Sequence, residues 1–194
     1  MSTQPSPQLS PEDYLQRETQ SGVVKHEYIN GQIYAMAGAS DAHVTLALNL
    51  ATLLRPTVRQ RGCRLYISDM KVRLEQRNCF YYPDLFVTCD PRDRQTSLYK
   101  SFPCLVIEVL SPSTEAFDRG DKFLDYQSLE TLEEYVLVNT RQQRLETFRR
   151  STSGLWVWQA YSPPQNSVEL KSIAWQGHLS DIYQDVTLEE ELRS

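Results

Sequence analysis

An acid stands inside an apolar strand. The run Leu105-Val106-Ile107-Glu108-Val109-Leu110 reads as a central strand buried on both faces, and it carries Glu108 in with it. The run Tyr81 to Thr88 has the same character and contains Pro83-Asp84. A carboxylate taken out of water needs a partner. One supply is a nearby Lys, Arg or backbone amide, which makes each acid a buried ion-pair member. The other is a divalent cation shared by both, since hard ions such as Mg²⁺ take one or two carboxylates and keep several waters. Asp84 and Glu108 lie 24 residues apart, which suits adjacent strands joined by the loop Asp90 to Phe102. Lys122 follows 14 residues after Glu108.

The elements around these strands are written in local signals. Ser10-Pro11-Glu12-Asp13 is a helix start, with Ser as cap, Pro in the first turn and acids facing the positive end of the dipole; that helix should run to about Gln20. Asn30-Gly31 between strand-like runs predicts a hairpin over Val24 to Tyr34 that carries Glu27. Behind a Ser40 cap, His43, Leu46, Ala47, Leu50 and Leu53 or Leu54 recur at helical spacing to about Val58, and Gly62 ends the element. Strands are expected at Arg64 to Leu74, Tyr81 to Thr88, Leu105 to Leu110, Glu134 to Asn139, Arg144 to Arg149 and Leu155 to Tyr161. A short helix should open at Asp118 and Asp121 and run through Lys122 to Leu129. The tail from His178 to Ser194 is amphipathic and acidic. With no repeat and no linker, residues 1–194 read as one α/β or α+β domain, a sheet flanked by helices.

Charge and cysteine usage narrow the functions. Twenty Lys and Arg against 25 Asp and Glu leave a net charge of −5, so the chain does not coat nucleic acid by bulk positive charge. Seven basic residues against two acids do gather between Arg55 and Arg77, among them Arg59, Arg61, Lys71 and Arg73. That stretch is either a phosphate-tracking surface or a solvated helix end and strand. Asp69 shares a strand face with Lys71 and Arg73, so a surface ion pair explains it as well as a site does. Cys63, Cys89, Cys104 and Cys79 include no close pair and have no zinc-type His partner, so all four are expected to be reduced. The start lacks the features of a secretory or transit segment, and no apolar run reaches membrane-spanning length. A cytoplasmic protein is expected, without a membrane partner. His43 reads first as a core residue or a neighbour behind a site, and as a phosphate contact second.

The set Pro83-Asp84, Glu108-Val109-Leu110, Ser111-Pro112-Ser113-Thr114, Asp118 and Lys122 resembles an uncharacterised bacterial endonuclease branch of the PD-(D/E)xK restriction-endonuclease-like superfamily. The similarity covers about Pro11 to Asn139. It implies a restriction-endonuclease-like core in which Asp84 and Glu108 bind Mg²⁺ (or Mn²⁺) with the backbone carbonyl of Val109. Glu27 is implied as an accessory acid, with His43 and Asp118 as accessory residues. Where the superfamily's motif has a Lys two residues after the Glu, this chain has Leu110; the resemblance carries that role to Lys122 on the following helix.

The leading expectation is therefore a metal-dependent endonuclease hydrolysing DNA phosphodiesters, with Arg59, Arg61, Lys71 and Arg73 as the candidate DNA-binding residues. The alternative is a non-catalytic module that keeps the nuclease fold and binds nucleic acid or protein. A third class, paired carboxylates acting as acid and base on a sugar, is also open. The aromatic and apolar run Leu155-Trp156-Val157-Trp158, together with the superfamily's habit, suggests a homodimer.

Overall fold

The structure, a computed structural model, describes residues 8–22 and 24–188. The chain opens with α1 (Pro11–Gln20), the hairpin β1 (His26–Ile29) and β2 (Gln32–Ala35), and the long helix α2 (Asp41–Gln60). It continues through β3 (Arg64–Ile67), β4 (Lys71–Leu74), β5 (Cys79–Tyr81), β6 (Leu85–Thr88), β7 (Tyr99–Lys100) and β8 (Leu105–Leu110). Two short helices follow, α3 (Glu115–Arg119) and α4 (Asp121–Tyr126). Then come β9 (Glu134–Asn139), β10 (Leu145–Arg150), β11 (Trp156–Tyr161), β12 (Ser167–Leu170), β13 (Trp175–His178) and α5 (Leu179–Ile182). The result is a mixed α+β architecture, as expected.

The predicted helix starts are present. Ser10 accepts the amide of Asp13, and Ser40 that of His43. Asn30 and Gly31 both take positive φ, +48° and +89°, which is what a two-residue turn between Ile29 and its partner Gln32 demands. A Cβ on Gly31 would also lie 2.8 Å from Gln8. Gly62, at φ +71°, lets the chain turn away from the end of α2.

A six-stranded sheet, in the order β11-β10-β9-β8-β6-β3, forms the centre, with β8 and β9 parallel and the other pairs antiparallel. Alternation gives it two apolar faces. Leu85, Val87, Leu105, Ile107, Val109, Val136 and Val138 pack against Leu46, Leu50, Leu54 and Val58 of α2. Phe86, Val106, Leu110, Tyr135 and Leu137 pack the other way, against Phe123 and Tyr126 of α4 and the second sheet, β2-β1-β5-β4-β7. Tyr14, Tyr28 and Phe80 pin α1 onto that second sheet.

Several expectations are corrected. The run Arg64 to Leu74 is two strands: Ser68 takes a positive φ of 44°, and the break sends β3 into the six-stranded sheet and β4 into the five-stranded one. Pro83-Asp84 likewise divides the run Tyr81 to Thr88 between β5 and β6, because Pro cannot supply a ladder donor. The helix expected from Asp118 to Leu129 is interrupted at Gly120, and Asp118 lies inside α3 rather than capping α4. Asp69 pairs with Lys25, not with Lys71 or Arg73. The hairpin of β12 and β13, with no strong local signal, buries Val168, Leu170 and Trp175 against α2's face of the sheet. The acidic tail beyond residue 188 lies outside the described residues.

The cysteines are not all reduced. Cys63 and Cys89 form a disulfide, with Cα atoms 4.2 Å apart, while Cys79 and Cys104 are free. The antiparallel register of β3 with β6 sets Arg64 opposite Thr88, so the residue before β3 faces the residue after β6. A sequence separation of 26 hides this adjacency.

The C-terminal hairpin is fastened through a buried charge. Glu134, fully buried, accepts Arg149 Nε at 2.6 Å and the Ser172 amide and hydroxyl at 3.2 and 2.9 Å. Arg149 also reaches the Tyr161 hydroxyl at 2.7 Å and the Glu169 carbonyl. Removing one partner of such a pair leaves a buried charge uncompensated. Arg149→Met is expected to cost about 3–5 kcal/mol in urea denaturation, part of it recovered when Glu134→Gln is added.

Candidate active site

The pleat decides where Glu108 goes. Ile107 and Val109 face α2, so Glu108 points to the opposite face, toward α4 and the hairpin. The run Ser111 to Thr114 is what makes that approach possible. Ser111 bonds the side chains of Ser113 and Thr114 at 3.0 and 2.9 Å and takes the Thr114 amide at 3.2 Å. This turns the chain out of β8 into α3 and back over the sheet as α4.

Lys122 then sits among three carboxylates. Its Nζ is 3.0 Å from Glu108 Oε1, 3.2 Å from Glu27 Oε1 and 3.5 Å from Asp118 Oδ1. Asp118 lies in the last turn of α3 and Lys122 in the first turn of α4, and the break at Gly120 between them brings both side chains over the same spot. Glu27 comes from β1 and is held by the Tyr82 amide at 3.1 Å. Asp84, between β5 and β6, accepts the Val109 amide at 2.7 Å and meets His43 Nε2 at 3.1 Å, both through Oδ2. Its own amide points to Glu108 Oε2 at 3.4 Å. Asp84, Glu108, Lys122, Glu27, Val109, His43 and Asp118 are thus brought together from six separate stretches of chain.

These side chains line a cleft of about 1220 Å³. Its walls are apolar, with Val44, Leu48, Ile67 and Leu124 each about half exposed. Its basic lining residues are Arg77 and Lys122. Arg59, Arg61, Lys71 and Arg73 lie elsewhere. Arg59 is 16 residues along α2 from His43, about 24 Å at helical rise, and Arg61 lies just beyond it. Lys71 stands over the Tyr82 ring and Arg73 over Phe80, both on β4. The structure therefore does not assemble these four as one surface at the cleft.

Reading the residues alone did not find Tyr81, Tyr126, Tyr135 or Asp125. The Tyr81 ring lies 5.5 Å from Lys122 Nζ, and its hydroxyl donates to Asp125 at 2.6 Å. Tyr126 and Tyr135 enclose the cluster from the core side, and the Tyr135 hydroxyl donates to the Asp118 carbonyl. An aromatic residue facing a sheet reads as core whatever it touches. Only Asp125, three residues past Lys122, carried a faint helical-spacing signal.

The electrostatics of the cluster are unbalanced. Counted as ionised, the four carboxylates carry more negative charge than the Lys122 ammonium offsets. Burial raises Glu108 well above its ordinary value of 4.5, with Asp118 and Asp84 adding and Lys122 opposing. Asp118 is raised for the same reasons. Burial works against the Lys122 ammonium, but Glu108 and Glu27 outweigh it and hold Lys122 above 10.5. Glu108 Oε1 makes no hydrogen bond despite its short ion pair.

The hard oxygen donors of Asp84 and Glu108 fit a divalent cation. Among the described residues no group of three or more His, Cys, Asp or Glu side chains is placed to hold a metal ion, so an ion here would rest on one or two carboxylates. The set suits an ion that keeps waters rather than an all-protein cage.

A carboxyl raised in the folded state binds its proton more tightly there than in the unfolded chain. Between 4.5 and the raised value, stability therefore falls as the pH climbs. In chelator, urea denaturation of the wild-type protein should show a loss of up to about 1.4 kcal/mol per pH unit within that window. Glu108→Gln should flatten the slope, leaving the smaller part due to Asp118.

The profile of the Uma2 family, described as "Putative restriction endonuclease", matches residues 11–180. The uncharacterized protein slr1290 of Synechocystis sp. is 41% identical over 179 residues, covering 92% of this chain and 93% of its own. A second Synechocystis protein, sll1609, is 34% identical over 151 residues, covering 77% of this chain and 85% of its own. In fold, the chain matches a crystal structure from Anabaena variabilis described as "a putative nuclease belonging to DUF820". The TM-score is 0.69 at 17% identity, over 84% of this chain and 92% of that one. The chain belongs to the Uma2 family of restriction-endonuclease-like fold.

Proposed function

We propose that this protein is a metal-dependent endonuclease that hydrolyses DNA phosphodiester bonds at the cleft. The observation that carries this reading is the Lys122 ammonium held within 3.5 Å of Glu108, Glu27 and Asp118, next to Asp84. Asp84 and Glu108, with the Val109 carbonyl, would hold Mg²⁺ (or Mn²⁺). The ion's chemistry there is to lower the pKa of a bound water and to neutralise charge on the phosphate oxygens.

The chain's own residues supply the rest. The Val109 amide and His43 both engage Oδ2 of Asp84, which fixes that carboxylate's rotation. Lys122 presents a fixed positive charge to the transferring phosphoryl group, a contact worth most in a site from which water is excluded. Glu27 and Asp118 keep the ammonium in place and protonated. The apolar walls of the cleft lower the local dielectric and strengthen each of these interactions.

Leu110 is buried in the core beneath α4, and Lys122 stands beside Glu108 from the helix instead. This supports the catalytic reading over a module that has lost its lysine. We also propose a homodimer, supported by Leu155, Val157 and Trp158, which are 69%, 56% and 53% exposed at and beside the sheet-edge strand β11.

Chelator-stripped protein should cleave plasmid DNA only when Mg²⁺ or Mn²⁺ is restored. Asp84→Ala, Glu108→Ala and Lys122→Ala should each lower the rate by about 100-fold or more. Wild-type activity equal to that of these variants would overturn the assignment. Light scattering should show a particle of twice the 22.5 kDa chain mass; a monomer mass would refute the dimer.

A further inference from the structure

Three of the four cysteines converge at the far end of the strands that carry the acids. Cys89 follows β6 and Cys104 precedes β8, whereas Asp84 and Glu108 lie at or toward the opposite ends of those strands. Cys63 closes the turn after α2. Beyond the Cys63–Cys89 bond, the Cys104 sulfur lies 3.8 Å from the Cys89 sulfur, in van der Waals contact. Cys89 is exposed, whereas Cys63 and Cys104 are each only 8% exposed. One exposed cysteine thus stands between two sheltered ones.

The sheet imposes this arrangement. β3 and β8 flank β6 on either side. The register of β6 with β3 puts Cys63 directly across from Cys89, and its register with β8, Val87 opposite Leu105, brings Cys104 to one residue off that line. The Cys104 thiol points its proton at the Val87 carbonyl, 3.4 Å away. Bridges across 26 and 15 residues differ little in closure entropy, which varies only with the logarithm of loop length. Chain entropy therefore does not hold Cys89 to Cys63.

We propose that Cys63, Cys89 and Cys104 form a thiol–disulfide exchange site in which Cys89 alternates between its two neighbours and is open to small thiols of the glutathione class. In the internal step Cys104 gives its proton to solvent, and its thiolate attacks the Cys89 sulfur. The Cys89–Cys104 bond forms as the Cys63–Cys89 bond breaks, and Cys63 leaves as a thiolate that takes up a proton. No electrons are gained or lost overall. A small thiolate attacking Cys89 gives a mixed disulfide and releases Cys63 in the same way; either Cys63 or Cys104 then expels it. Burial pushes the Cys104 thiol up to about 11, so the internal step should quicken about tenfold per pH unit below that value.

The test is disulfide mapping of the folded protein. Wild type is incubated at about pH 9 with a trace of glutathione, alkylated in denaturant at mildly acid pH and cut with pepsin, conditions that stop exchange by removing thiolate. Both the Cys63–Cys89 and the Cys89–Cys104 linkages are expected, with Cys104→Ser giving only the first. Cys63→Ser oxidised with glutathione disulfide should give Cys89–Cys104. Cys79, also buried and free, is the internal control and should be recovered fully alkylated. Wild type showing Cys63–Cys89 alone with Cys104 fully alkylated would overturn the proposal. So would Cys79 entering bridges as often as Cys104, since that marks scrambling in unfolded chains. If Cys63→Ser does not fold, the wild-type and Cys104→Ser maps decide the matter between them.

Discussion

The contact between Lys122 and Glu108 governs how the rest of the chain is arranged. Both side chains are nearly inaccessible to water, at 6% and 4% exposure. A buried pair of this kind stabilises a fold less than apolar residues of the same size would. What it does instead is impose conditions. β8 must lie at the centre of the sheet, α4 must cross directly above it, and the β1–β2 hairpin must bring Glu27 to the same point. The Ser111–Thr114 turn and the break at Gly120 meet the second condition, and the tyrosines of β5, α4 and β9 seal the cluster from below.

The six-stranded sheet separates two tasks by its pleat. Its α2 face is almost wholly aliphatic and supplies packing. The other face mixes aromatics with the charged cluster, so the same strand that anchors the core also presents Glu108. Helix α2 spans the molecule between two chemistries. His43 near its start meets Asp84, and Cys63 just past its end meets Cys89. About 30 Å of helix, 20 residues at 1.5 Å each, keeps the two apart. The acids and the sulfurs therefore occupy opposite ends of one sheet and share no residue.

Much of this was legible in the residues. The caps at Ser10 and Ser40, the Asn30-Gly31 turn and the strands Leu105–Leu110 and Glu134–Asn139 follow from their own neighbours. So does the expectation that Asp84 and Glu108, set in apolar runs, need partners. The lysine was placed through the Asp118 and Lys122 pattern together with a family resemblance, since periodicity alone does not say which helix crosses which strand. The basic stretch from Arg55 to Arg77 shows the limit. It is continuous in sequence, yet α2, Gly62 and the break at Ser68 send its members to different faces.

By itself the sequence determined what depends on a few adjacent residues: helix ends, hairpin turns, strand identity, and the presence of acids too apolar in context to stand alone. Only the tertiary structure decided what depends on register and on the crossing of distant segments. The division of Arg64 to Leu74 between two sheets, the hairpin held by Arg149 on Glu134, the dispersal of Arg59, Arg61, Lys71 and Arg73 away from the cleft lining and the meeting of Cys63 with Cys89 all belong to that second group. Each joins residues whose attraction exists only after the intervening chain has been placed. A local pattern encodes the energy of its own turn or strand, whereas these contacts draw theirs from packing summed over the whole sheet.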